Sequence, residues 1–127
     1  MTKILIADDE LVMRELLKET LEKLEDNGVE ILTVDNGEDA IDSIRTEKPD
    51  LVILDVMMPE MNGFEVCNTV KNELGMKDVF VLILTASTQG LDKQISKDVG
   101  ADIFMTKPFD PDELIKEVSK VLEIEIK

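Results

Sequence analysis

Five short apolar stretches alternate with five segments of helical period along this chain, and few architectures satisfy that rhythm. The apolar stretches run from Lys3 to Ala7, Glu30 to Val34, Leu51 to Leu54, Phe80 to Leu84 and Asp102 to Thr106. Such alternation predicts βαβ units, with helices covering both faces of a parallel sheet. The third and fourth stretches are almost wholly apolar, so those strands are expected at the centre, buried on both faces.

Between the strands, Met13, Leu17, Leu21 and Leu24 form one helical stripe; Cys67, Val70 and Leu74 form another; Leu114, Val118, Val121 and Leu122 form a third. The segment from Leu91 to Val99 offers only Leu91, Ile95 and Val99, which predicts the least firmly held helix. Asn36-Gly37 opens the second helix. Asp110-Pro111-Asp112-Glu113 supplies the last with an N-cap, a proline at its first position and an acid at its third.

A length of 127 residues suits a single core. Residues 1–122 are expected to form that domain, leaving 123–127 as a short tail with no output domain. Whatever the domain controls would then lie on another chain. No apolar run approaches the roughly 20 residues a membrane-spanning helix needs, and Met1 leads straight into the first strand rather than into a signal peptide. Cys67 is the only cysteine and there is no histidine, which excludes an internal disulfide and the usual zinc sites and fits a reducing cytoplasm. Acids outnumber bases 29 to 14, a net charge of -15 that should repel nucleic-acid backbones and anionic lipid surfaces.

In an open parallel sheet, ligands bind where the loops leave the carboxyl ends of the strands. Here the first strand runs into Asp8-Asp9-Glu10, the third into Asp55, the fourth into Thr85 and the fifth into Lys107. Each alone has a plain structural explanation. Asp8 and Asp9 could start a helix, Asp55 could serve a turn before Pro59, Thr85 suits a strand, and Lys107 could snorkel. Together they place three carboxylates, a hydroxyl and an ammonium on one edge. Carboxylates about 5 Å apart repel by roughly 3 kcal/mol per pair at an effective dielectric near 20, so a cation is required. Magnesium, a hard ion taking oxygen ligands and phosphate together, suits the set better than calcium, because no EF-hand spacing is present. A carboxylate beside such an ion can attack phosphorus, which makes Asp55 the candidate nucleophile, Lys107 a second cation for a phosphoryl oxygen, and Thr85 a hydrogen-bond donor.

With these positions assembled, the sequence resembles the response-regulator receiver family over nearly its whole length, and most of all its stand-alone, chemotaxis-type members. The motifs are Ile6-Ala7-Asp8-Asp9-Glu10, Asp55 through Gly63, Leu84-Thr85-Ala86, Gly100-Ala101-Asp102 and Lys107-Pro108-Phe109, in family order and spacing. The resemblance implies a flavodoxin-like doubly wound sheet of five parallel strands, order 2-1-3-4-5, with five helices. It also implies a cis peptide at Lys107-Pro108.

By the same resemblance Asp9, Asp55 and the Met57 backbone carbonyl would ligate Mg²⁺, with Asp8 acting mainly through water; Mn²⁺ is the alternative ion. Asp55 would accept the phosphoryl group from a phosphohistidine on a sensor histidine kinase, or from a small phosphodonor. No organic cofactor is implied. Thr85 and Phe104 would act as the switch, moving a face made of the fourth helix, fifth strand and fifth helix to control a downstream protein. Two hydrogen bonds to a charged phosphoryl group contribute on the order of 3 to 6 kcal/mol, against about 5.5 kcal/mol needed to take an equilibrium from 1:99 to 99:1. The chain would be no enzyme beyond catalysing its own phosphorylation and dephosphorylation. Met57 and Ser87 would flank the attacking water, and lacking acid or amide groups they predict slow dephosphorylation. Asp112 stands where many DNA-binding relatives carry an arginine that supports a symmetric dimer, so a monomer is expected. Met57, Met58 and Met61 are read as gap-fillers, and Cys67 as core.

Alternatives within the family or beyond it are a phosphorelay intermediate that passes the group to a histidine phosphotransfer protein, and a receiver-shaped interaction module that is never phosphorylated. An Asp-nucleophile phosphatase of the haloacid-dehalogenase type expects a second Asp two residues after the nucleophile, where this chain has Met57. An FMN binder would need a phosphate loop that Asp8-Asp9-Glu10 would repel.

Overall fold

The computed structural model describes residues 2–86 and 90–123. Strands β1 (Thr2–Ala7), β2 (Val29–Val34), β3 (Leu51–Asp55), β4 (Phe80–Thr85) and β5 (Ile103–Thr106) alternate with helices α1 (Leu11–Leu21), α2 (Gly37–Glu47), α3 (Gly63–Asn68), α4 (Gly90–Asp98) and α5 (Pro111–Leu122). All strand pairs are parallel, in the order β2-β1-β3-β4-β5. The expected strand order and fold class therefore hold.

Period-two alternation divides the core into two layers. Leu5, Ala7, Val52, Leu54, Val81 and Ile83 face Ala40 and Ile44 of α2 and Val66 and Cys67 of α3. Ile4, Ile6, Leu51, Ile53, Leu82 and Leu84 face Leu17 and Leu21 of α1 and Leu114 and Val118 of α5. Every residue of β3 is buried. With both faces apolar, hydrophobicity alone does not fix this strand's register; the terminal acid does. A one-residue slip would drive the Asp55 carboxylate under a helix among apolar side chains, where an unpaired charge is costly.

Helix starts follow the polar signals. Asn36 accepts the Asp39 amide at 2.7 Å. Asn62 and Glu65 form a capping box, and Asp110 accepts the Asp112 amide at 2.9 Å ahead of Pro111. The resemblance-based cis peptide at Lys107-Pro108 is present.

Several expectations need correction. Strand β5 begins at Ile103, because the Asp102 side chain is committed elsewhere, to the Val81 amide and Lys71. Leu74 is 39% exposed rather than part of the α3 stripe. A π turn at Thr69–Glu73 widens the helix by a residue, so Lys71 takes the inward position and Leu74 rotates out. Val121 and Leu122 are only partly buried, being in the last turn of α5. Met58 and Met61 fill the core under the β3–α3 loop, but Met57 is 73% exposed because the loop turns its side chain to solvent. On α4, Ile95 and Val99 are partly buried, while the Leu91 side chain lies outside the described residues.

Candidate functional site

The parallel register brings the carboxyl ends of β1, β3, β4 and β5 to one edge. Asp8 follows β1 and continues its ladder through its amide to the Val34 carbonyl at 3.2 Å. Its own carbonyl accepts Arg14 Nη1 at 2.8 Å. Asp8 is fully buried, Asp55 is 2% exposed and Thr85 is 3% exposed, whereas Asp9 and Glu10 lie open to solvent. Asp55 sits opposite Leu84 in the sheet, one residue before Thr85, and the Lys107 amide donates to the Thr85 carbonyl at 2.7 Å.

Among the described residues, one lysine pairs with the acids of this edge. Lys107 Nζ lies 2.9 Å from Asp55 Oδ1, 3.5 Å from Asp8 Oδ2 and 3.8 Å from Glu10 Oε1. Oxygens of Asp8, Asp9, Glu10 and Asp55 all lie within 4.8 Å of one another. Four formal negative charges against one ammonium leave the edge strongly anionic. Burial pushes the Asp55 carboxyl up to about 6; the Lys107 hydrogen bond opposes this, and the Asp8 charge adds to it. Burial also raises Asp8, against the Glu10 amide at 2.9 Å and Lys107. Burial acts against the Lys107 charge, but hydrogen bonds and charges of Asp55 and Asp8 together outweigh it and hold the ammonium protonated above its ordinary range.

Asp55 Oδ2 is buried without a hydrogen-bond partner among the described residues. Such an orphaned carboxylate oxygen is costly unless something positive meets it. The donor set is all oxygen, which fits a hard divalent cation of the magnesium type.

The loop after β3 is shaped by Gly63, whose amide donates to the Val56 carbonyl at 3.1 Å. A Cβ there would come within 2.4 Å of the Asp55 carbonyl, so only glycine permits the chain to fold back over its own strand end. Phe104 on β5 is partly buried, and beside it runs a groove of about 340 Å³ lined by Lys93, Ser96, Lys97, Ala101, Asp102 and Ile103. Ser87 lies outside the described residues.

The structure thus brings together Asp8, Asp9, Asp55 and Lys107 as expected, with Thr85 beside them. Glu10 and Arg14 were missed. The signal for Glu10 was adjacency to the acid pair; for Arg14 it was a base in the first turn of the helix that follows that pair.

A five-stranded parallel domain with buried acids and a lysine at the carboxyl edge is the build of a phosphoryl-receiving signalling module. The chain belongs to the response regulator receiver domain family, whose description matches residues 4–119. Receivers of this family work in two-component systems, take a phosphoryl group on an aspartate and bind Mg²⁺.

Among curated relatives, the alkaline phosphatase synthesis transcriptional regulatory protein PhoP of Bacillus subtilis (strain 168) is 41% identical over 120 residues, covering 94% of this chain and 48% of that protein. The chain spans about half the length of the curated relatives it matches. Among solved structures, the chemotaxis response regulator CheY4 of Vibrio cholerae is 36% identical with a TM-score of 0.83, covering 95% of this chain and 98% of that one. The signal receiver domain of a DNA binding response regulator from Colwellia psychrerythraea 34H is 29% identical with a TM-score of 0.89, covering 97% and 99%. No helix among the described residues is long and apolar enough to cross a membrane.

Proposed function

We propose that Asp55 is the phosphoacceptor of this receiver and that its modification is relayed to a protein partner. The observation that carries this is the Asp55 carboxylate itself: buried, tied through one oxygen to Lys107 at 2.9 Å, with the other oxygen unpartnered inside a cluster of acids. Asp8, Asp9, Asp55 and the Met57 carbonyl would hold the Mg²⁺ ion, with Mn²⁺ the alternative. When bound, the ion supplies charge neutralisation for the attacking and transferred oxygens.

The chain's own groups do the rest. Asp55 attacks phosphorus as its carboxylate, a P–N bond to the kinase histidine (or P–O bond of a small acyl phosphate) breaks, and the donor leaves with its electron pair. The chain is no enzyme in the sense of turning over a separate substrate. Lys107 exchanges its Asp55 contact for a phosphoryl oxygen, and Thr85 donates its hydroxyl to another. Because the Thr85 carbonyl holds the Lys107 amide, the two move as one unit between β4 and β5. Phe104 borders the groove between α4 and β5, so the α4-β5-α5 face is where the partner reads the change. Met57, exposed beside Asp55, offers no acid or amide to position water, which supports slow dephosphorylation, with Ser87 the second position.

The partners are a sensor histidine kinase and a downstream protein. The charge of -15 argues against direct nucleic-acid or membrane contact by these residues, and Asp112 in place of an arginine favours a monomer. Intact mass spectrometry with acetyl phosphate and Mg²⁺ tests the reading. An adduct of one phosphoryl group should appear, and both Asp55→Asn and a chelator should abolish it; an undiminished adduct on the variant refutes the assignment.

A further inference from the structure

We infer that Glu10, outside the expected ligand set, is a fourth carboxylate of the cation site and raises its affinity for Mg²⁺. Glu10 occupies the N-cap of α1, yet its side chain makes no capping hydrogen bond. Short side chains such as Asp or Asn at that position bond the exposed amides of the first turn, whereas the longer Glu side chain can reach elsewhere. Here the carboxylate instead lies 3.8 Å from Lys107 Nζ, and one of its oxygens is within 4.8 Å of oxygens from Asp8, Asp9 and Asp55.

Two features hold it there. Its amide is fixed by Asp8 Oδ1 at 2.9 Å, and its carbonyl accepts the Arg14 amide at 2.9 Å to begin the helix, so the backbone is pinned while the side chain, 66% exposed, swings over the acids. The buried, unpartnered Asp55 Oδ2 marks where the positive charge is wanted. Without metal, Glu10 adds to repulsion that Lys107 alone offsets. With a dication present the same charge becomes attractive. A structural cap and a cation-tuning carboxylate therefore give opposite signs when the charge is removed.

The inference rests on the metal reading above, and the test separates the two. Mg²⁺ affinity is measured by calorimetry with MgCl₂ for the full chain and for Glu10→Gln, Glu15→Gln and Asp9→Asn, together with each unfolding midpoint in EDTA. Glu15 is an exposed acid one turn further along α1 and reports the general effect of losing one surface charge. One screened unit charge about 5 Å from a dication corresponds to a change on the order of five-fold. Glu10→Gln should weaken Mg²⁺ binding by about that factor, Glu15→Gln by less than about two-fold, and metal-free Glu10→Gln should unfold no earlier than the parent. Equal affinities for the Glu10 and Glu15 variants, or a lower metal-free midpoint for Glu10→Gln, overturn the inference. An Asp9→Asn variant that binds Mg²⁺ as the parent does overturns the metal reading instead.

Discussion

Replacing the central carboxylate should stabilise the metal-free protein. Asp55 is 2% exposed, and its carboxyl is pushed from the ordinary value near 3.8 up to about 6. A raised carboxyl means that the folded state binds its proton more tightly than the unfolded chain. The ionised form at pH 7.5 is correspondingly disfavoured on folding, by about 3 kcal/mol for a rise of this size. Asn is neutral and isosteric, so Asp55→Asn removes that cost. Lys107 keeps Asp8 at 3.5 Å and Glu10 at 3.8 Å as counter-charges, so the ammonium is not stranded. Allowing for relaxation, the gain is about 1 to 3 kcal/mol, or roughly 4 to 12 °C for a domain of this size.

With no Trp or Tyr in the chain, urea unfolding is followed by circular dichroism in EDTA. The midpoint should rise with the slope unchanged. The same linkage sets the pH dependence. The parent gains stability as pH falls from 7 through 6 toward about 4 and loses it as pH rises through about 6, while Asp55→Asn is flatter across that window. In MgCl₂ the difference narrows, because the ion stabilises the parent more than the variant. A variant less stable than the parent in EDTA would refute the reasoning.

Three further outcomes follow from the geometry. Lys107→Met strips the buried pair Asp8 and Asp55 of its nearest cation and should cost about 3 kcal/mol in EDTA, with MgCl₂ restoring part of it in the same denaturation assay. Gly63→Ala puts a methyl within 2.4 Å of the Asp55 carbonyl, so it should destabilise by at least about 2 kcal/mol and weaken Mg²⁺ binding in calorimetry; Gly28→Ala, with nothing within 4 Å but φ at +82°, should cost only about 1 kcal/mol and leave metal binding unchanged. A double-mutant cycle of Lys71→Met with Asp102→Asn should show a coupling of about 1 to 3 kcal/mol, since Lys71 is nearly buried and its Nζ sits 2.9 Å from Asp102.

How much was readable beforehand depended on whether a residue's fate was decided locally. Strands β1 to β4 end within a residue of expectation because apolar runs stop where Asp8, Asp35, Asp55 and Thr85 introduce polarity. The acids and Lys107 were legible because each terminates a strand, and a parallel sheet gathers strand ends. Lys71 was not. Its burial comes from the π turn, a backbone irregularity with no side-chain signature, and from an acid 31 positions away. Leu74 failed for the same reason, since a 3.6-residue stripe loses phase across a wider turn. Met57 read as filler because composition says nothing about which way a loop side chain points. Glu10 was hidden in its role as the residue that opens a helix.

Asp102 deserves a last thought as an anchor. It accepts the Val81 amide at 2.9 Å and Lys71 at 2.9 Å where β4 and β5 begin, and the Asp102 amide returns to the Val81 carbonyl at 2.9 Å. The far end of these two strands is thereby clasped by side chains, while the end bearing Thr85 and Lys107 is joined by the backbone bond from the Lys107 amide to the Thr85 carbonyl. The pair of strands is thus pinned like a hinge plate at the end away from the acidic edge.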